Sequence, residues 1–152
     1  MFRRKTAFTL VELILAVMFI GILAAVAVPR LNFSAVSKQK ADAAAMKIVT
    51  DLRRVRRLAI SDAAINTAGF ALNMTGSAPY TAYEIKNLDT EATVDSHTID
   101  SAVSCTGGSA FDFGPLGNLL AGSDTQLTVS ASGKTLTITI TTATGMIKWS
   151  EN

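Results

Sequence analysis

A long apolar run dominates the N-terminal part of the chain. Residues 8–28, FTLVELILAVMFIGILAAVAV, are apolar except for Thr9 and Glu12. As a helix this run would be roughly 31 Å long, which matches the hydrocarbon core of a bilayer. The pattern predicts a membrane-spanning helix, with Gly21 and Pro29 as positions where a helix can kink.

The hydrophobic period after Pro29 indicates a second helical stretch over residues 34–65. Apolar residues recur there at spacings of three and four, which places them on one face of a helix. The opposite side carries Lys47 and the arginines of the RRVRR segment, 53–57, and Asp51 is spaced to pair with Arg54. The apolar face consists of Ala41, Ala45, Ile48, Leu52, Val55 and Ala59.

From Gly69 onward the hydrophobic period changes to two, which is typical of strands. Phe70, Leu72 and Met74 alternate with smaller or polar residues, and 76–79 (GSAP) predicts a turn. The clearest hairpin covers 126–142, with a turn at Ser132-Gly133-Lys134. Its inward residues are Leu127, Val129 and Ala131 on one strand and Leu136, Ile138 and Ile140 on the other. Tyr83 and Ile85 mark a further strand and 146–150 a last one, so we expect an α+β protein with one antiparallel sheet packed on the helix.

The charge distribution separates the N-terminus from the rest of the chain. Arg3, Arg4 and Lys5 hold three of the 14 basic side chains, so 11 remain to face 12 acidic ones. By the positive-inside rule these three residues keep the N-terminus in the cytoplasm and place the C-terminal body beyond the inner membrane. The near-neutral body gives no electrostatic case for binding nucleic acid. Cys105 is the single cysteine, which excludes an intramolecular disulfide and a thiolate zinc cluster, and we expect a half-buried apolar side chain there.

The N-terminal run admits three interpretations. An ordinary secretory signal would end at a small-residue cleavage site, and Ala25-Val26-Ala27 offers one. A plain membrane anchor would leave Glu12 as an unexplained cost of about 2.5–3.5 kcal/mol or less. The third interpretation gives Glu12 a partner.

The string KTAFTLVEL, followed by the apolar run and Pro29, resembles the prepilin motif of type IV pilins and type II secretion pseudopilins. The resemblance implies that residues 1–7 are a leader, that prepilin peptidase cuts between Ala7 and Phe8, and that Phe8 is then N-methylated. It also implies that Glu12, fifth in the mature chain, pairs with the α-amino group of a neighbouring subunit during filament assembly. The family has Gly before the cut, so Ala7 is a departure that puts the rate of processing in question.

The C-terminal part resembles the GspH/FimT branch of that family, through FDFGPLG at 111–117, the Thr-rich hairpin and TGMI at 144–147. The resemblance implies a pilin-like fold, in which a helix from Phe8 to about Ile65 comprises a membrane and filament-core part (8–29) and an amphipathic continuation (30–66). A β-sheet domain follows at 67–152. It further implies a minor pseudopilin of type II secretion in the bacterial inner membrane, with a periplasmic C-terminal domain and incorporation into a periplasmic or extracellular filament.

The partners that the resemblance implies are other pilin or pseudopilin subunits, prepilin peptidase, and the inner membrane with its assembly platform. The alternative within the family is a minor type IV pilin that serves pilus biogenesis, surface contact or DNA uptake. Some pilins of this branch bind DNA through a basic tail, whereas this chain has one cation in 146–149, Lys148, which disfavours nucleic acid.

We find no pattern of an enzyme site in the sequence. His97 lies beside Asp95, Ser96 and Asp100, and three such residues in one loop are typical of polar surface rather than of a hydrolase triad. The acidic stretch from Asp89 and Glu91 to Asp100 has no calcium-loop spacing, and Gly107-Gly108 lacks the Lys of a phosphate loop. No aromatic residues interleave with the arginines of 53–57, so we interpret these as a solvated or subunit-facing side. We therefore expect no catalytic residue, metal, cofactor or small-molecule substrate, and an enzyme held by one anchor helix is the weakest alternative.

Overall fold

The computed structural model describes residues 9–27 and 33–152, and side chains over 9–25 and 34–152. The predictions at Ala7, Phe8 and Pro29 lie outside these residues, as does the link that would join the two predicted helical stretches. The chain divides into two units, Met1–Phe33 and Ser34–Asn152. The α+β class is confirmed, since helices come first along the chain and antiparallel strands follow.

The first unit contains helix α1, Leu10–Ala27. The helix continues through Gly21 without a break in its secondary structure. Among the described residues, no helix combines the length and the apolar character needed to cross a membrane.

Helix α2, Phe33–Ser61, forms because its apolar residues share one face that the core covers. All six residues of the predicted face are buried, each with at most 2% of its surface exposed. The helix ends four residues earlier than predicted. Asn66, which is buried, accepts a hydrogen bond from the Gly69 N–H at 2.7 Å and donates to the Gly69 carbonyl at 2.8 Å, so the chain turns here and Ile65 is left 82% exposed.

Eight strands follow α2, and they form two sheets rather than the single predicted sheet. The first sheet has the order β3-β2-β1-β5 and the second the order β4-β6-β7-β8, with all pairs antiparallel. The strands are β1 (Phe70–Thr75), β2 (Ala82–Asn87), β3 (Thr93–Thr98), β4 (Ser104–Gly107), β5 (Ala110–Phe113), β6 (Gln126–Ala131), β7 (Lys134–Ile140) and β8 (Ile147–Glu151).

The single-sheet prediction is wrong because the chain passes between sheets three times, from β3 to β4, from β4 to β5 and from β5 to β6. The shortest of these passages is the corner between β4 and β5. Gly107 has a φ of 109° there, which favours glycine, and the Gly108 N–H still donates to the Gln126 carbonyl at 2.9 Å. One residue later the Ser109 carbonyl accepts from the Met74 N–H of the other sheet at 2.7 Å. Two glycines therefore form the corner that separates β4 from β5. The alternating pattern of the sequence identifies strands, but it does not show which sheet each strand joins.

The predicted hairpin is confirmed in place, with a turn one residue shorter than predicted. Leu127 pairs with Ile138 and Val129 with Leu136. The turn has two residues, Ser132 with φ 48° and Gly133 with φ 80°, while Lys134 already belongs to β7. Two consecutive positive φ angles are typical of the type I′ turn, whose twist suits a tight hairpin.

One hydrophobic core joins α2 to both sheets. Its largest fully buried side chains include Phe111 and Phe113 of the segment FDFGPLG. Cys105 is also fully buried, deeper than the half-buried position expected, and burial raises the pKa of its thiol to about 12. The thiol therefore behaves as a small apolar core group.

Candidate functional site

The start of α1 places Glu12 in the first turn of the helix. The Glu12 N–H donates a hydrogen bond to Thr9 Oγ1 at 3.2 Å, and the Leu13 N–H donates to the Thr9 carbonyl at 3.1 Å. Thr9 thus occupies the N-cap position and satisfies one of the free N–H groups at the helix start. The T-L-V-E spacing has a local structural role that the sequence analysis missed, and a capping-box pattern was the signal available.

The side chains of α1 are exposed over the whole described range, 9–25. The exposed fraction of its large apolar side chains runs from 50% at Ile14 and Leu15 to 74% at Leu10. These residues occur on all sides of the helix rather than along one stripe, and a helix that is apolar all round is stable in water only when something covers it.

Asp51 on α2 is the centre of a buried polar cluster. It has 2% of its surface exposed, and its carboxylate accepts hydrogen bonds from Tyr83 Oη at 2.5 Å and Lys47 Nζ at 3.0 Å. The phenol of Tyr83 has its pKa raised, first by burial and then by the hydrogen bond to Asp51. His97 Nε2 lies 3.6 Å from Asp51 Oδ2 and 3.4 Å from Asp95 Oδ2.

The pair expected between Asp51 and Arg54 does not form. Asp51 faces β2 and is held by Tyr83, while Arg54 reaches β3 and donates to Asp95 Oδ2 at 2.6 Å. This hydrogen bond is the main reason that the pKa of Asp95 is lowered. Spacing along the sequence could suggest only a partner on the same helix for Arg54. Its actual partner, Asp95, lies on β3, and that contact follows from the arrangement of the strands around α2.

The residues around His97 do not form a hydrolase triad. Ser96 and His97 are neighbours on β3, so their side chains point to opposite faces of the strand. Ser96 contributes its N–H to Asp95 Oδ1 at 2.9 Å, and Asp100 forms an ion pair with Lys40 at 2.8 Å. The group at His97 contains no nucleophile, and its side chains fix β3 onto α2.

The acidic stretch from Asp89 to Asp100 does not converge on one point. Asp95 and Asp100 are paired with cations of α2, while Asp89 and Glu91 lie exposed in the turn between β2 and β3. Over the described part of the chain, no set of three or more His, Cys, Asp or Glu side chains is arranged to bind a metal ion.

The arginines of 53–57 fall into two kinds. Arg53 and Arg57 are exposed, whereas Arg54 and Arg56 are partly buried and have partners. Arg56 Nε donates to the Gly117 carbonyl at 3.0 Å. Two of the four arginines thus make contacts within the protein, and the other two are exposed to solvent.

The two C-terminal motifs meet beside Arg56. Gly117 ends the segment FDFGPLG and Gly145 belongs to the Thr-Gly pair, and a Cβ on Gly145 would overlap the Gly117 carbonyl oxygen. Gly145 also has a φ of 61°, which favours glycine. Backbone packing thus explains Gly145, while a Cβ on Gly117, whose φ is 76°, would meet the side chain of Ile60. No local pattern in the sequence indicates that the two glycines are in contact.

The final strand leaves Lys148 and Trp149 exposed, while Ile147 is buried. Lys148 and Ser150 flank Trp149 on the opposite face of the strand. The strand presents one cation, which is less than a basic tail for a nucleic-acid backbone would need.

A cleft of about 290 Å³ lies between α2 and β3, close to His97. Its charged walls are Lys40, Lys47 and Asp100, which already pair within the protein as Lys40–Asp100 and Lys47–Asp51. The cleft therefore presents no uncompensated charge to a ligand. The feature of the described chain most in need of a partner is the apolar surface of α1.

Comparison of the chain with protein-family models, with curated proteins and with solved structures finds no match.

Proposed function

We propose that this chain is a minor pseudopilin, a structural subunit of a periplasmic pilus-like filament in type II protein secretion. In this proposal the leader 1–7 is removed by prepilin peptidase, Phe8 becomes the methylated N-terminus, and α1 passes from the inner membrane into the filament core. The observation that carries the proposal is α1, an apolar helix with side chains exposed all round and a carboxylate in its first turn.

The exposure of α1 supports an assembly role because its apolar surface needs a cover. Hydrophobic burial contributes about 25 cal/mol for each Å² of apolar surface removed from water. Both a bilayer and a bundle of like helices provide such a cover. The membrane segment of the proposal is residues 8–28, of which Phe8 and Val28 lie outside the described residues.

The position of Glu12 supports a specific contact in the assembly. An ionised carboxylate surrounded by apolar side chains is costly unless a cation pairs with it. The α-amino group of a cleaved Phe8 is such a cation, and it would come from the neighbouring subunit. Thr9 caps the helix through the backbone N–H of Glu12, so this contact leaves the Glu12 carboxylate available.

The folded body is a unit with a core of its own, as a structural subunit requires. Its core is built entirely from residues of the second unit, between Ala41 and Ile147. The buried polar groups near His97 hold α2, β2 and β3 together, and no nucleophile faces that imidazole among the described residues.

The proposal is tested with Glu12→Ala in the full chain. We expect leader removal to continue and incorporation into the filament fraction to be lost, because the charge pairing is absent while the apolar helix remains. Thr9→Val is the matched control, since it removes the capping oxygen but keeps the carboxylate, and it should still be incorporated. Normal incorporation of the Glu12→Ala chain would contradict the assembly role.

A further inference from the structure

Most charges on the second unit are compensated inside the protein. Ion pairs of 3.2 Å or less join α2 to β3, to β7 and to Asp100 after β3, join β7 to β8, and link Lys86 to Glu84 within β2. The cations engaged in ion pairs are Lys40, Lys47, Arg54, Lys86 and Lys134, and Arg56 is held by a backbone carbonyl. The cations of this unit without such a contact are Lys38, Arg53, Arg57 and Lys148, and the carboxylates without an ion pair are Asp62, Asp89, Glu91, Asp112 and Asp124.

Two of the remaining cations share the outward side of α2. Arg53 and Arg57 are exposed, and no hydrogen bond or ion pair joins them to another described residue. Met46 and Ile60 lie seven residues before and after Arg53, on the same side, and are 54% and 46% exposed. We call Met46, Arg53, Arg57 and Ile60 the basic face of α2.

Two of the remaining carboxylates lie together in the turn between β2 and β3. Asp89 and Glu91 are exposed and engage in no ion pair with a described residue, although Glu91 contributes to the field at Lys86. Val94, which follows on β3, is 45% exposed. We call Asp89, Glu91 and Val94 the acidic turn.

The spacing of the charges on the two surfaces matches. Arg53 and Arg57 are one helical turn apart, which is about 6 Å along the axis. Asp89 and Glu91 are two residues apart, which allows at most about 7 Å between their Cα atoms. Two cations can therefore meet two carboxylates at once, with exposed apolar side chains beside both pairs.

We propose that the basic face of one copy of this chain binds the acidic turn of a second copy. This inference rests on the proposed filament role. The two surfaces lie on different elements, so the contact is heterologous, and a heterologous contact that does not close into a ring extends into a helical filament. The charges set the orientation of neighbouring bodies, while α1 supplies the apolar surface for assembly.

The contact is tested by disulfide cross-linking in the full chain. Arg57→Cys combined with Glu91→Cys should give a ladder of dimers and larger species after mild oxidation, because each copy carries both halves of the contact. The two single variants mixed together should stop at dimers. Cys105 is fully buried and stays in the background, and Lys148→Cys combined with Glu91→Cys is the control for random collision, since Lys148 is an exposed cation on another strand.

Charge exchange provides the second arm, with wild-type surfaces elsewhere and Thr50→Cys combined with Thr90→Cys as reporter. Thr50 is exposed and lies about one helical turn before Arg53, and Thr90 lies between Asp89 and Glu91. Arg53→Glu with Arg57→Glu should lower the cross-linked product about tenfold, as expected when two exposed attractions become repulsions. Adding Asp89→Lys and Glu91→Lys to that chain should restore the product, because the charges then match again.

The outcomes separate this contact from the filament role. No ladder, an equal ladder in the Lys148 control, or no rescue by charge exchange would overturn the contact, even if the chain is found in filaments. A ladder that forms while the chain never enters the filament fraction would keep the contact and contradict the proposed function.

Discussion

Among single residues, Asp51 makes the contacts on which the junction of α2, β2 and β3 depends. It is a buried carboxylate with two hydrogen-bond donors, Tyr83 Oη and Lys47 Nζ. A buried charge is tolerated only when its oxygens are satisfied, so each donor contributes more here than on the surface.

Tyr83→Phe should lower the free energy of unfolding by about 1.5–3 kcal/mol, because it removes a donor to a buried charge. Tyr80→Phe is the matched control. Tyr80 Oη donates to the neutral carbonyl of Gly107 at 3.0 Å, and its loss should cost only about 0.5–1.5 kcal/mol. Denaturant unfolding of both variants measures the difference, and equal costs would contradict the greater strength of the hydrogen bond to Asp51.

The ion pair of Arg54 with Asp95 should make stability depend on pH at the acid end. The pKa of Asp95 is lowered in the folded protein, so its contribution is present above the ordinary value of about 3.9 and is lost as the pH falls through the folded pKa below it. Arg54→Gln should therefore lower the Tm at pH 7 more than at pH 3. Arg53→Gln removes no ion pair, so its effect on the Tm should be the same at pH 7 and pH 3. If Arg54→Gln lowered the Tm equally at both pH values, the contribution of the Arg54–Asp95 ion pair would be contradicted.

Among the elements, the contact between the turns at Gly117 and Gly145 joins segments distant in sequence. Gly145→Ala should destabilise the protein by several kcal/mol, because its Cβ would overlap the Gly117 carbonyl oxygen in addition to the strain of a positive φ. Gly133→Ala is the control, since Gly133 also has a positive φ but open space around it, and it should cost about 1 kcal/mol. Thermal unfolding distinguishes the two, and a Gly145→Ala protein as stable as Gly133→Ala would refute the close contact.

The elements also show which features a sequence pattern can predict. The buried face of α2 and the β6–β7 hairpin follow from local periods and a two-residue turn, and both were predicted. The division into two sheets depends on three connections, from β3 to β4, from β4 to β5 and from β5 to β6. The cluster at Asp51 depends on β2 and β3 lying beside α2. Such contacts join residues far apart in the chain, and local periodicity carries no information about them.

For the whole molecule, the two units differ in how their apolar residues are covered. The second unit buries most of its apolar side chains within one core, whereas α1 leaves its own exposed. A chain of this kind needs a partner for its first unit, and the proposed filament supplies one. The processing site at Ala7 and Phe8 stays a prediction, since it lies outside the described residues.

The mass of the mature N-terminal peptide tests this account most directly. The chain is expressed in cells that contain prepilin peptidase, recovered from membranes and analysed by mass spectrometry. We predict an N-terminus at Phe8 carrying one methyl group, with residues 1–7 absent. An N-terminus at Val28, as an ordinary secretory signal would give, or a chain that retains residues 1–7 in the presence of the active peptidase, would contradict it.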